Sequence, residues 1–144
     1  MKANNKYFFL FLTILLLVNL YIYMLPYFKS TEINLEKVSS EISLNSNELV
    51  ASFITNENKS NEVYGGKIIE VTGFVKEISF LNNRNTVLLY TENEKSGIIC
   101  DVNKSQLKKV KSLKKHQKIK VKGLCKGFLK DVILLNCYIS LKPE

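Results

Sequence analysis

Residues 7–25 form an uncharged, strongly apolar segment, YFFLFLTILLLVNLYIYML, in which only Thr13 and Asn19 are polar. A helix of this length extends about 28 Å, which is close to the thickness of a bilayer core. The rest of the chain, roughly 115 residues, is too short to surround such a helix with apolar partners and still build a core of its own. The segment therefore predicts a single membrane-spanning helix.

The span is interpreted as an uncleaved anchor rather than a cleaved signal peptide. The residues Pro-Tyr-Phe at 26–28 follow it, whereas a signal-peptidase site prefers small side chains. Lys2 and Lys6 precede it without an acid, so the positive-inside rule favours a cytoplasmic N-terminus. We expect residues 1–28 to be a cytoplasmic N-terminus and a single-pass anchor in the inner cell membrane, with the C-terminal domain extracytoplasmic.

Residues 29–45 are rich in Ser, Asn and Glu and are predicted to form a stalk or linker. Leu35, Val38 and Ile42 could share a helical face. The composition favours a tether with short helical turns over a stalk that associates with itself.

A longer helix is predicted at 46–63. Asn45 can cap its first turn, with Glu48 in the reciprocal position. Two glycines at 65–66 favour its end. The helix should pack on the following domain through an apolar stripe. This stripe comprises Leu49, Val50, Phe53 and Ile54.

Residues 64–142 contain five β-rich segments and one short helical segment, in the order β-β-β-α-β-β. Gly73 in the middle of the first segment predicts a bulge or bend. Five strands are too few for a two-layer sandwich, and the crossovers of a parallel sheet are absent. The pattern predicts a mainly β, five-stranded OB-fold barrel in a domain that spans 46–142. The strands are predicted at 67–80, 86–92, 97–102, 118–125 and 131–141, and the helix at 105–113.

Several short motifs in this region resemble the tRNA_anti-like family of bacterial OB-fold domains. The resemblance covers roughly residues 46–141 and includes the helix that precedes the barrel. It implies an OB fold, a fold that binds proteins, glycans and nucleic acids, and it supplies no catalytic residues. The motifs are Tyr64-Gly65-Gly66-Lys67, Val71-Thr72-Gly73, Cys100, Val121-Lys122-Gly123, Cys125, Gly127, Asp131-Val132-Ile133-Leu134 and Cys137.

The net charge of +8 is concentrated near the C-terminus. Eleven Lys and no acid lie at 104–130, whereas the rest of the chain has ten basic and thirteen acidic residues. Such a block attracts anions, although a solvated face or the codon bias of an AT-rich genome would give the same pattern. The candidate anion-binding residues are Lys108, Lys111 and Lys115 on one helix side, and Lys118, Lys120 and Lys122 on one strand face.

Three cysteines lie in or beside predicted strands. Outside the cytoplasm we expect one disulfide, either Cys100–Cys137, between neighbouring strands of the barrel, or Cys125–Cys137, across the last hairpin.

His116 in a predicted loop and Asp131 at a turn are expected to be structural. With one His and no CxxC motif, no metal, cofactor or catalytic site is expected.

The predicted function is that of a membrane-anchored, extracytoplasmic OB-fold module that binds a ligand and is not an enzyme. Its expected partners are the membrane and an anionic lipid or polymer, or an envelope protein. The first alternative is an interaction or scaffold protein of an envelope complex. A nucleic-acid-binding protein is disfavoured, since Tyr90 is the only aromatic side chain on the second and third predicted strands.

Overall fold

The computed structural model divides into two compact units, residues 1–33 and residues 34–144. The first unit holds one long apolar helix, and the second holds a β-barrel with short helices. The residues that the structure describes are 4–28, 35–93 and 95–141.

Helix α1 (Asn4–Phe28) is the helix that the apolar N-terminal segment predicts. Its segment Lys6–Met24 has a mean hydropathy of 2.1, and none of that segment is buried. By length and composition α1 can cross a membrane, which holds for an anchor and for a signal sequence alike.

Two short helices precede the barrel, α2 (Ser46–Thr55) and α3 (Glu57–Tyr64). The predicted cap of α2 is confirmed, because the Asn45 side chain accepts a hydrogen bond from the Glu48 N–H at 2.8 Å. The prediction of one continuous helix is wrong. Asn56 adopts an extended conformation, and its side chain accepts a hydrogen bond from the Lys59 N–H at 3.0 Å, which starts α3 as a separate helix.

The apolar stripe of α2 packs into the end of the barrel. Leu49, Val50 and Phe53 are fully buried there, as predicted. The Phe53 ring stacks on Phe128 with ring centroids 5.8 Å apart. Ile54 is half exposed, so the prediction is wrong at this position, which lies at the edge of the helical arc that faces the barrel.

The predicted five-stranded barrel is confirmed, with one additional strand. In the sheet order β1-β2-β3-β4-β6-β5, β5 pairs back onto β2 and closes the barrel. A 3₁₀ turn (Lys104–Gln106) and helix α4 (Leu107–Ser112) connect β4 to β5, which completes the predicted β-β-β-α-β-β order. The strands are β1 (Ile42–Asn45), β2 (Ile68–Leu81), β3 (Arg84–Leu89), β4 (Ile98–Val102), β5 (Lys118–Phe128) and β6 (Val132–Ser140).

Strand β2 belongs to two parts of the barrel wall. Its first half, Ile68–Phe74, pairs with β5, and its second half, from Val75 onward, pairs with β3. The register shifts between Val75 and Glu77, so the predicted bend lies just beyond Gly73. A Cβ at Gly73 would lie 3.0 Å from the Ser46 Oγ, so glycine here permits the close approach of α2.

Strand β1 lies in the segment that was predicted to be a stalk. It pairs in parallel with residues 69–72 of β2, so the expectation of a helical face that includes Ile42 is wrong. The physical reason is that the first half of β2 has β5 on one side and a free edge on the other. Leu35 and Leu44 are buried, so residues 35–45 pack as part of the second unit. Residues 29–34 of the predicted linker lie outside the described residues.

Truncation should test whether residues 35–44 belong to the folding unit. A domain that begins at Asn45 loses β1 and two buried leucines, Leu35 and Leu44, each worth about 2–5 kcal/mol in a core. We expect its free energy of unfolding to fall by about 3 kcal/mol or more relative to residues 35–144, as measured by urea denaturation. The exposed variant Lys37→Ala should change it by less than about 0.5 kcal/mol. Equal stability of the long and short domains would show that the segment is only a linker.

Candidate functional site

The lysines of α4 and the loop after it lie on the surface. The 3₁₀ turn before α4 is capped by Asn103, whose side chain accepts a hydrogen bond from the Ser105 N–H at 2.9 Å. Val110 and Leu113 are buried and hold the helix on the barrel. Lys108 and Lys111 of α4 face solvent, as the helical spacing predicts. The prediction that Lys115 shares their helix side is wrong, because α4 ends at Ser112 and Leu113 is extended, which places Lys115 in the following loop. Lys104, Lys114 and Lys115 are exposed on either side of the helix.

Strand β6 fixes α4 in place. The Asn103 N–H donates to the Cys137 carbonyl at 2.9 Å, and the Asn103 amide nitrogen donates to Asn136 Oδ1 at 2.7 Å. Within α4, Lys109 Nζ donates to the Ile139 carbonyl at 3.2 Å. The helix therefore presents its exposed lysines from a firmly held position.

The three candidate lysines of β5 face outward, as predicted, but they differ in what they contact. Lys120 Nζ lies 3.3 Å from Glu70 Oε1, in a pair that is about three-quarters buried. Lys122 Nζ donates to the Val38 carbonyl at 2.8 Å and so holds residues 35–45 against the barrel. Lys118 is exposed. Two of the three ammonium groups are thus already engaged inside the domain, and anion binding by Lys118 and by the α4 lysines stays a prediction.

An open groove of about 1220 Å³ lies between α2 and β2. Phe74 and Ile54, each 49% exposed, contribute apolar surface, and Lys118 also lines the groove. A reciprocal pair of hydrogen bonds holds one wall: Asn47 Nδ2 donates to Glu92 Oε1 at 2.9 Å, and the Glu92 N–H donates to Asn47 Oδ1 at 2.8 Å. The groove therefore combines aromatic, amide and charged groups.

An aromatic cluster beside the groove was not predicted. The rings of Tyr90 and His116 stack with centroids 5.2 Å apart, and Lys76 Nζ lies 5.8 Å from the centre of the Tyr90 ring. These residues meet because two neighbouring residues of β2, Phe74 and Val75, accept backbone hydrogen bonds from different segments of the chain. The Tyr90 N–H donates to the Phe74 carbonyl, and the His116 N–H donates to the Val75 carbonyl. No local sequence signal links residues 90 and 116, so only the closure of the barrel reveals the cluster.

The structure describes Cys100, Cys125 and Cys137 as buried, free thiols. Burial raises the pKa of Cys137 well above its ordinary value, and a hydrogen bond with Cys100 raises it further. Burial also raises the pKa of Cys125, which a backbone hydrogen bond at Gly127 partly offsets. Of the two predicted pairings, Cys100–Cys137 is the one in which the thiols already interact, and the disulfide itself stays a prediction.

The other titratable candidates have structural contacts. Asp131 Oδ1 accepts a hydrogen bond from the Gly97 N–H at 2.6 Å, which ties the start of β6 to the start of β4, as a turn role predicts. His116 lies in the loop before β5. Among residues 4–28, 35–93 and 95–141, no three His, Cys, Asp or Glu side chains are grouped to hold a metal ion.

A model of the tRNA_anti-like family matches residues 1–139. The chain belongs to the tRNA_anti-like family. The match begins at the N-terminus, so it includes α1, whereas the motifs indicated a likeness only from about residue 46. No curated protein matches the sequence.

One solved structure with a TM-score above 0.5 has the same fold as this tRNA_anti-like chain, and others align less well. A lipoprotein from Klebsiella pneumoniae, proposed to bind nucleic acid, aligns with a TM-score of 0.56 and 18% identity, over 67% of this chain and 90% of that one. The OBody AM3L09 bound to hen egg-white lysozyme aligns with a TM-score of 0.44 and 12% identity, over 56% of this chain and 88% of that one. A proposed aspartyl-tRNA synthetase from Leishmania major aligns with a TM-score of 0.47 and 9% identity, over 81% of this chain and 22% of that one.

Proposed function

We propose that this tRNA_anti-like protein is a membrane-anchored binding module whose OB domain lies outside the cytoplasm and binds an anionic lipid surface. The observation that carries the proposal is the group of exposed lysines on α4 and in the loop after it, Lys108, Lys111 and Lys115, on a segment that hydrogen bonds hold on the barrel. A rigid array of like charges repels itself, and an anionic surface relieves that repulsion. Each Lys near an anionic membrane contributes about 1 kcal/mol to binding.

The length of the linker supports action close to the bilayer. Residues 29–34 separate the last residue of α1 from Leu35, the first buried residue of the domain. Six residues of any conformation span at most roughly 20 Å. A short tether raises the effective concentration of the domain at the membrane, so weak contacts with headgroups become significant. The Klebsiella protein of the same fold is a lipoprotein, which agrees with a membrane-associated role.

The proposed role is binding without catalysis. The two acid or base candidates that the sequence analysis considered have structural contacts. Asp131 accepts the Gly97 N–H, and His116 stacks on Tyr90. A scaffold role in an envelope complex is compatible with the same anchored domain, but it does not explain the cluster of exposed lysines on and after α4.

The topology can be measured directly. A phosphatase reporter fused after Glu144, which is active only when it is exported, should be active, and a cytoplasmic reporter at the same place should be inactive. The mature protein should retain residues 1–28, as shown by N-terminal sequencing. A mature chain that begins after residue 28 would identify a cleaved signal, and activity of the cytoplasmic reporter alone would place the domain inside the cell.

Charge substitution tests the lipid surface. We expect the triple variant Lys108→Gln, Lys111→Gln and Lys115→Gln of residues 35–144 to bind phosphatidylglycerol vesicles about 100-fold more weakly than the wild type at low salt. Three interactions of about 1 kcal/mol each account for this factor. The measurement is sedimentation with vesicles, and added salt should weaken the wild type toward the variant.

A matched control removes the same charge elsewhere. Lys37, Lys59 and Lys95 are exposed and lie outside α4, so their triple Gln variant should retain most of the binding. Equal loss in both variants would show that only net charge matters. Absence of vesicle binding by the wild type would overturn the lipid proposal and favour the scaffold role.

Nucleic-acid binding is a second candidate, because the groove places aromatic surface beside cations. Phe74 is exposed at the groove, Tyr90 and His116 stack beside it, and Lys118 contributes positive charge. The Klebsiella protein is proposed to bind nucleic acid. Stacking of one base on an aromatic side chain is worth about 1–3 kcal/mol.

If the groove binds single strands, Phe74→Ala should weaken oligonucleotide binding by about tenfold or more, as measured by fluorescence anisotropy. Phe80→Ala is the matched control, since Phe80 is equally exposed and lies outside the groove. No binding by the wild type, or equal effects of the two variants, would exclude this candidate.

A further inference from the structure

The hairpin between β2 and β3 carries exposed apolar side chains where a small soluble domain would normally have polar ones. Phe80 is 51% exposed and Leu81 is 69% exposed. Asn82 and Asn83 form the two-residue turn, both with positive φ, so the tip has a defined conformation rather than that of a loose loop. Arg84 follows and is also exposed. Two adjacent exposed apolar residues at a rigid tip mark a contact surface.

The strand register places this hairpin beside the lysines of α4. Asn85 of β3 pairs with Val102, the last residue of β4, so the hairpin extends beyond that end of β4. The 3₁₀ turn that leads into α4 begins two residues after Val102, at Lys104. The apolar tip and the basic helix therefore leave the barrel at the same end of β4.

Helix α4 adds its own apolar residue to the basic surface. Leu107 is 36% exposed and occupies the helical side shared by Lys104, Lys108 and Lys111, at spacings of three and four residues. Exposed apolar side chains next to lysines are typical of proteins that lie at a membrane interface, because the apolar groups enter the acyl boundary while the cations remain with the headgroups. The hairpin and α4 together have this composition.

We propose that the β2–β3 hairpin inserts Phe80 and Leu81 into the outer boundary of an anionic bilayer, while the α4 lysines bind the headgroups. This surface rests on the proposed function, which it extends from a charge attraction to a defined docking face. The complementary charges and the short tether to α1 identify the occupant as the lipid bilayer rather than a protein.

The other exposed turn of the barrel serves as an internal control. Leu129, in the turn between β5 and β6, is 85% exposed, which makes it more accessible than Leu81. Val132 pairs with Ile98, the first residue of β4, so this turn lies at the opposite end of β4 from the hairpin. A bilayer docked on the hairpin and α4 should leave Leu129 in water.

The chain contains no tryptophan, so one introduced tryptophan reports its position without background. The full chain carrying Leu81→Trp is reconstituted into vesicles with and without phosphatidylglycerol. With the anionic lipid, the emission should shift to shorter wavelength, and lipids brominated on the acyl chain should quench it. Leu129→Trp should show neither effect. Phe80→Trp, which exchanges one aromatic ring for another, repeats the test if Leu81→Trp fails to fold.

The outcomes separate insertion from charge attraction. Combining Leu81→Trp with Gln at Lys108, Lys111 and Lys115 should abolish the shift and the quenching. If the lysine variant lowers vesicle binding but the hairpin tryptophans stay in water, the insertion is overturned and the proposed function stands. If the wild-type domain binds no vesicles and the tryptophans stay in water, both are overturned. Equal quenching at residues 81 and 129 would also contradict a single docking face.

Discussion

The barrel depends on one long strand that pairs on both of its edges. Strand β2 pairs with β5 over its first half and with β3 over its second, and it also accepts β1 in parallel. The bulge between Val75 and Glu77 lets it change direction between these partners. Pairing of β5 back onto β2 closes the barrel. The same strand brings Phe74, Tyr90 and His116 together, so the groove and the aromatic cluster are consequences of closure.

The lysines illustrate how the same residue type acquires different roles within one fold. On β5, Lys120 pairs with Glu70 of β2 and so links two barrel strands, whereas Lys122 binds the Val38 carbonyl and holds residues 35–45 on the barrel. On α4, Lys109 binds the Ile139 carbonyl and helps to fix the helix, while its neighbours face solvent. The predicted anion patch is therefore smaller than the sequence block. It comprises exposed lysines such as Lys108, Lys111 and Lys118, and it excludes Lys120 and Lys122.

The membrane provides a consistent physical setting for these features. Between Tyr7 and Met24, helix α1 exposes apolar side chains, which water does not favour and a bilayer does. The proposed lipid surface would give the linker, the basic helix and the apolar hairpin a common explanation. Because Lys120 and Lys122 are engaged inside the domain, the proposed surface does not include them.

The sequence by itself determined the features that depend on local pattern. Apolar length identified α1, alternation identified the five barrel strands, and Asn45 identified the start of α2, because each of these follows from neighbouring residues. The tertiary structure alone decided the pairings between distant segments. Strand β1 forms because β2 has an open edge, Lys120 and Lys122 are engaged because Glu70 and the Val38 carbonyl lie opposite, and Tyr90 meets His116 across β2. Such contacts depend on how the strands register in a closed barrel, and no window of adjacent residues contains that information.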